Sequence, residues 1–402
     1  MIDTNPKEDT CVQSEEDALY EELFRLHSEV HVLAEDLDRL DHLLEIQRSL
    51  VSAILRTETE IKSAKDSGDD PKDWQYLRYN FLCLGDSLAF LYLDRFSLKQ
   101  TYFNVENYSP KQGGGFLSGQ TGLAGEIAVL EQAIEAGVPA VLCDLTNVVR
   151  YGDVCLLGAA DPFPIEVKSS KTKDKRGKRQ KRKLAKLLEF LESDRAQGFR
   201  GNSKTTVRIE TSLPLNSYSE QLEAAIQDAE SEGMVTFDVD ECLRVAVFQG
   251  AERDMSRLMD GIDGDRALGN FVNDIKSNML WAYHYPYALS FKHTKNYAKF
   301  VHGEVVIVTI LDMGKFESKL AYDGIELKVE ADENSIQCRI KHPELSDYTE
   351  EPWFYVSDGM MARIWTDFLN PSWIVQNAIE MLDRSLNSLG DFTDGVDDAD
   401  AH

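Results

Sequence analysis

Apolar residues open the chain in a regular ladder: Leu19, Leu23, Leu26, Val30, Leu33, Leu37, Leu40 and Leu44, with spacings that alternate between four and three. That period is the a/d seam of a long helix, and it continues more weakly through Val51, Ile54 and Ile61. The strict period favours a coiled coil between two copies. Additional apolar residues (Phe24, Val32, Leu43, Ile46) widen the stripe and favour packing on another helix of the same chain. Both partners stay open, and a homodimer through this helix is the expectation carried forward. His27 and His31, four residues apart, would make a metal pair on that helix. With no third ligand in sight, a solvated helix face is the simpler reading. The run KDSGDDPK at Lys65–Lys72 breaks the helix, and the mostly apolar Trp74–Phe96 resumes it, folding back on the first helix or onto the middle of the chain.

The pattern then changes. Tyr108–Gly122 is a glycine-rich loop without the G-K-[ST] of a phosphate-binding loop, so a linker or a flap is expected. In Gly122–Glu135, Leu123, Ile127, Leu130 and Ile134 recur at helical spacing, and Gly137 stops the helix. Three short apolar runs come next, Val138–Leu142, Asp153–Leu157 and Pro164–Lys168, and each reads as a strand. A helix is expected over Gln180–Asp194, with Leu184, Leu187, Leu188 and Leu191 inward, and a fourth strand over Thr205–Thr211 to close this core.

Four charged residues sit at telling places on that frame: Glu126 on the helix, Asp153 at the start of a strand, and Glu166 and Lys168 on the next. Side chains alternate along a strand, so Glu166 and Lys168 share one face while Ile165 and Val167 take the other. Oxygen ligands of this kind suit Mg²⁺, or Mn²⁺, which takes one or two carboxylates together with water and phosphate. A lysine beside them can serve an attacking water or the developing charge. Glu-x-Lys alone is more simply an ion pair at a strand edge; the ordered set around it is what shifts the reading.

That set, Glu126, Asp153 and Glu166-Val167-Lys168 in the order helix, strand, strand, strand, resembles the PD-(D/E)xK nuclease superfamily, the restriction-endonuclease-like fold. The likeness covers about residues 113–212. It implies an αβββαβ core, a divalent metal held by Asp153, Glu166, the carbonyl of Val167 and Glu126, and Lys168 acting on the attacking water. Gln180 is a looser match to a glutamine of the following helix. The Pro that precedes the Asp in the family is replaced here by Gly152. Phosphodiester hydrolysis, of DNA rather than RNA, is what the resemblance implies, in a bacterial restriction or anti-phage setting.

Charge supports one place for a polyanion. The chain of 402 residues has a net charge of −27, yet Lys171–Lys186 carries ten Lys/Arg against one Asp, so the remainder stands near −36. A basic strip on an acidic body steers a polyanion to one site. Lys175, Arg176, Lys178, Arg179, Gln180, Lys181 and Arg182 are the candidate nucleic-acid contacts. The alternative is a solvated linker.

Six cysteines, at positions 11, 83, 143, 155, 242 and 338, show no zinc spacing, and Cys143 and Cys155 fall in apolar strands. Neither a secretory signal nor a membrane-spanning run is evident, which gives a cytoplasmic expectation without disulfides and without a membrane partner.

After Pro214 the pattern predicts a helix at Ser219–Glu232, strands at Leu243–Phe248 and Glu304–Leu311, and a hairpin of Ile325–Glu330 with Ile336–His342. A short strand and two helices come last, over Trp353–Leu382. The cluster Trp281, Tyr283, Tyr285, Tyr287 and Phe291 reads as an aromatic core strand, and His284, His293 and His302 as core or surface residues.

The organisation expected is a disordered start (1–14), a long helix (15–66), a helical connector and loop (67–112), an α/β nuclease core (113–212), an α+β unit (213–388) for substrate or partner-protein recognition, and an acidic tail (389–402). The chain is then α+β overall. The rival functions are a non-catalytic nucleic-acid-binding protein and a coiled-coil adaptor.

Overall fold

The computed structural model describes residues 14–119, 122–167, 175–250, 258–277, 283–321, 324–331, 336–347 and 349–393. Ser14 starts the first helix, α1 (Glu15–Glu35), by accepting the Asp17 N–H at 3.1 Å, with three acidic residues in the first turn. Residues 36–39 then break the ladder, and α2 (Leu40–Ser67) returns antiparallel. Arg56 reaches Glu15 at 2.8 Å, and His42 reaches Glu29 at 3.2 Å. Each of Leu19, Leu23, Leu26, Val30 and Leu33 is 0 % exposed within the single chain. In α2 the buried set shifts phase to Leu43, Ile46, Leu50, Ile54 and Ile61, leaving Leu44 only half-buried. α3 (Lys72–Tyr92) packs on both helices.

The expected single long helix is therefore a hairpin, and its ladder is satisfied inside the chain. The apolar seam on which a homodimer rested is already covered. The solvated face expected for His27 is likewise corrected. His27 is fully buried, with Nε2 3.0 Å from the Phe291 carbonyl and Nδ1 3.0 Å from Thr294 Oγ1, while His31 Nε2 lies 2.8 Å from the Ala288 carbonyl.

Next come α4 (Arg95–Tyr102), α5 (Leu123–Glu135) and three short strands, β1 (Ala140–Leu142), β2 (Val154–Leu156) and β3 (Phe163–Ile165). The strands pair antiparallel in that order, with Leu142 opposite Val154 and Val154 opposite Ile165. β1 would present a bare edge. Gln47 of α2, 0 % exposed, covers it by donating Nε2–H to the Ala140 carbonyl and accepting the Leu142 N–H, both at 2.9 Å.

α6 spans Lys175–Ser193, five residues more at its start than the sequence pattern gives, so much of the basic run is helical. Among the described residues β4 (Arg195–Gln197) and β5 (Thr205–Val207) pair only with each other. The fourth strand expected to close the three-stranded core instead completes a separate hairpin.

The remainder is α7 (Ser219–Glu232), β6 (Met234–Val239), β7 (Leu243–Gln249), β8 (Ala267–Phe271), α8 (Val272–Ser277), α9 (Tyr287–Ser290), α10 (Thr294–His302), β9 (Val305–Asp312) and α11 (Met313–Lys319). The last elements are β10 (Glu326–Ala331), β11 (Ile336–Lys341), β12 (Trp353–Val356), α12 (Asp358–Met361), α13 (Arg363–Thr366) and α14 (Pro371–Thr393). One antiparallel sheet has the order β6-β7-β9-β8, the other β10-β11-β12. The expected hairpin is present as β10 and β11. The aromatic segment is not a strand, since Tyr287–Ser290 is helical, and Trp281 lies outside the described residues. α14 runs past residue 389, where the acidic tail was expected to begin, and residues 394–402 and 1–13 lie outside the described residues.

The chain is thus mixed α+β with small antiparallel sheets. The largest apolar cluster among the described residues draws on positions from Leu19 to Ile379, and smaller ones lie around Tyr151, Leu187 and Phe199 and around Phe248, Leu258 and Val308. Among the described residues no helix is long and apolar enough to cross a membrane.

Candidate active site

The carboxylates singled out in the sequence meet at one end of β1-β2-β3. Asp153 immediately precedes β2. Its N–H donates to the Ile165 carbonyl at 2.8 Å, and its Oδ2 accepts the Val167 N–H at 2.6 Å. These two bonds tie the start of one strand to the end of the next, so Asp153 and Glu166 are held side by side. β3 ends at Ile165, and Glu166 and Val167 leave it as half-buried residues. Lys168 lies outside the described residues. Val167 enters the site through its N–H. Glu126, on the first turn of α5, is only 8 % exposed.

Gly152 explains a departure noted in the sequence. Its φ is +76°, and a Cβ there would lie 2.8 Å from the Ile165 carbonyl oxygen, 2.9 Å from Ile165 N and 3.0 Å from Pro164 Cβ. Proline, fixed near φ −65°, cannot take that backbone, and any side chain would collide with β3.

Crowding of like charge shapes the electrostatics. Glu126 is pushed up to about 7, by burial first and then by Asp153 and Asp144. Burial is also the largest cause raising Asp153, which Asp144 raises further and the Val167 N–H and Lys111 oppose. Glu166 is raised by burial and by Asp153, against Lys111 and Lys181. Among the described residues none of Glu126, Asp153 and Glu166 makes an ion pair. Carboxylates crowded together with no ion-paired cation among the described residues are the surroundings a hard divalent ion relieves. The oxygen-only donor set fits Mg²⁺ or Mn²⁺ and not a thiolate-seeking metal. The set is loose. Among the described residues, the group of three or more His, Cys, Asp and Glu whose ligand atoms all lie within 4.8 Å of one another is His342, Glu344 and Asp383, in the C-terminal part. Mg²⁺ bound mainly through one or two carboxylates and water asks for no tighter protein cage.

Sequence reasoning missed three members of this neighbourhood. Asp144 directly follows the β1 turn residue Cys143, and an acid just beyond an apolar strand was the available signal. Gly114 of the glycine-rich loop approaches it so closely that a Cβ would fall 2.1 Å from Asp144 Oδ1. Lys111, from the same loop, places its ammonium 4.6 Å from the Tyr151 ring centroid, donates to the Arg150 carbonyl, and acts electrostatically on Glu166 and Asp153. Glu58 of α2 pins that loop, accepting N–H groups of Leu117 at 3.0 Å and Ser118 at 2.8 Å while paired with Arg78 at 2.8 Å. The loop expected as a linker or flap is clamped at its far end by a buried carboxylate.

Of the basic candidates, Lys178, Arg179, Lys181 and Arg182 are exposed on α6, and Gln180 is half-buried. Lys175 and Arg176 belong to the first turn of the helix, and their side chains lie outside the described residues. Arg182 and Lys183 lean on Glu106 at 3.5 and 2.8 Å. Lys181 is close enough to Glu166 to act on its titration, so the basic face of α6 adjoins the carboxylates. Cys143 and Cys155 are buried free thiols, as expected of small core residues. Comparison with known family models, with curated proteins and with solved structures gives no match to this chain.

Proposed function

We propose that this protein is a metal-dependent nuclease of the PD-(D/E)xK type, with DNA as the favoured substrate. The observation that carries the reading is the gathering of Glu126, Asp153 and Glu166 at one sheet end, each raised by burial and the outer two also by Asp153, with no ion-paired cation among the described residues, beside the basic face of α6. A bound Mg²⁺ or Mn²⁺ would supply an activated water and screening of the phosphate charge. Asp153 and Glu166 would hold the ion, Glu126 would reach it directly or through water, and the Val167 carbonyl would add a ligand. Lys168 is the residue that the motif assigns to the attacking water. Lys178, Arg179, Lys181 and Arg182 would hold the backbone phosphates of the substrate.

The test is incubation of the full chain with plasmid, linear duplex, single-stranded DNA and RNA in Mg²⁺, Mn²⁺ or EDTA. Cleavage that needs the ion and disappears in Asp153→Ala and Glu166→Ala supports the reading. A protein that binds no divalent ion and cuts none of these substrates removes it.

A further inference from the structure

A second place in the molecule has the opposite electrostatic imbalance. A cavity of about 580 Å³ opens between α4, the segment after β5, and α9, α13 and α14. Arg95 and Lys99 of α4 and Arg363 of α13 line it, against the anions Asp94 and Asp367. Both anions are already engaged. Asp94 caps α4 by accepting the Ser97 N–H at 2.9 Å. Asp367 pairs with Arg363 at 2.7 Å, lies 3.3 Å from His284 Nδ1, and accepts the Tyr285 N–H at 3.2 Å. Arg95 Nε stands 3.9 Å from Asp367, too far for a hydrogen bond, and is buried with no hydrogen-bond partner among the described residues. The Lys99 ammonium makes no hydrogen bond or ion pair among the described residues, and it lies 5.8 Å from the Phe96 ring centroid.

Burial, then Arg95, Arg363 and Arg200, push Lys99 down to about 7. A cation short of hydrogen-bond acceptors is costly, and here Arg95, ion-paired among the described residues only at 3.9 Å with Asp367, and the half-buried Lys99 face an open cavity.

The rest of the lining says what accompanies the anion. Leu93, Leu213, Tyr285, Met360, Trp373 and Met381 make the walls apolar and aromatic. Asn377, 1 % exposed, also faces the cavity, and its Oδ1 has no hydrogen-bond partner among the described residues. Among the described residues its Nδ2 hydrogen-bonds only the sulfurs of Met360 and Met381, at 3.9 and 3.5 Å. An unfilled acceptor calls for a donor on the ligand.

We propose that this cavity binds an organic phosphate with a planar body, a nucleotide, with its phosphate on Arg95 and Lys99 and a base amino or imino group donating to Asn377. The volume lies within the range of small-molecule sites, and apolar walls with a few converging polar groups are their usual make-up. The proposal stands apart from the nuclease reading.

Calorimetry on the full chain tests it, with the four nucleoside 5′-monophosphates, inorganic phosphate and octanoate as probes. The expected result is saturable one-to-one binding of at least one nucleotide, at least tenfold tighter than phosphate or octanoate. Lys99→Met and Asn377→Leu should each weaken it tenfold or more, and Asp153→Ala should leave it unchanged. Because Lys99 is surplus charge in the empty cavity, Lys99→Met should melt no lower than the parent, which keeps the variant informative. No nucleotide binding would overturn the proposal, as would binding indifferent to Lys99→Met or lost in Asp153→Ala. Octanoate binding more tightly than every nucleotide would overturn the phosphate assignment.

Discussion

Replacing Gly152 by alanine tests whether the approach of β3 to the residue before Asp153 organises the carboxylates. Two effects are separable. A non-glycine residue in the left-handed region costs about 1 kcal/mol at the low end. In addition, the methyl would meet Ile165 O, Ile165 N and Pro164 Cβ at 2.8, 2.9 and 3.0 Å. All three are rigid, so the strand must shift, at a cost of about 1–3 kcal/mol typical of overpacking. Gly137 is the matched control, because its φ is +78° and nothing lies within 4 Å of its virtual Cβ. Gly137→Ala should then cost about 1 kcal/mol and Gly152→Ala about 3 kcal/mol. Unfolding entropy near 2.1 cal/mol/K per residue gives about 0.8 kcal/mol/K for a chain of this length melting as one unit. The expected losses in Tm are therefore about 1 °C and about 4 °C. Differential scanning calorimetry measures both. The second readout is divalent-ion binding, which should weaken only in Gly152→Ala, because a shifted β3 stretches the Asp153–Ile165 and Val167–Asp153 bonds. Equal Tm losses for the two variants would refute the steric argument.

Four further outcomes are expected. Asp153→Ala, Glu166→Ala and Lys168→Ala should lower metal-dependent cleavage by about 100-fold or more with the fold retained on circular dichroism, while Glu126→Gln should recover partly at high Mn²⁺. Changing Lys178, Arg179, Lys181 and Arg182 to Ser should flatten the dependence of log K on log salt by about three to four for duplex binding, and an unchanged slope would move the phosphate contacts elsewhere. Burial, with His31 as a lesser cause, pushes His27 down to about 3 from an ordinary 6.5. The unfolded chain therefore takes up a proton that the folded chain refuses, so stability is complete above pH 6.5 and falls as pH drops towards 3. At pH 5 the loss is about 2 kcal/mol, and urea titrations of His27→Gln should lack it. Deleting residues 15–67 should give a chain that fails to fold rather than a monomer from a dimer; a folded product on light scattering and circular dichroism would contradict the packing of α1 and α2.

The short-range signals were legible because they report backbone requirements. The α5 helix, its Gly137 stop and strands around 140, 155 and 164 arise from spacing and glycine, to within the usual few residues at the ends. Glu126, Asp153 and Glu166 could be gathered in advance because each falls at the edge of such an element. The partner of the leucine ladder could not. A 3.5-residue seam is equally content with a helix of another copy or with α2 and α3, and only the break at 36–39 decides it. Asp144, Lys111 and Glu58 belong to the site through contacts between distant segments, which no local pattern encodes. His27 was misjudged for the same reason, since its two partners, Phe291 and Thr294, are more than 260 positions away. Thr205–Val207 has strand character, but nothing in its composition says which strand it pairs with.

The dependence of β1 on Gln47, and of the glycine-rich loop on Glu58, bears on how the chain can be made. Both side chains come from a helical hairpin that leaves the ribosome before the sheet it supports. Helical hairpins close through local contacts and form quickly, and domains assemble from the N-terminus during synthesis. The template is then waiting when Ala140–Ile165 emerges. The sheet, cut out as residues 113–212 and grafted onto another protein, would arrive with an uncovered edge and a loop without its anchor. The carboxylate motif of this protein is not a transferable cassette; it travels only with the helical hairpin of residues 15–67.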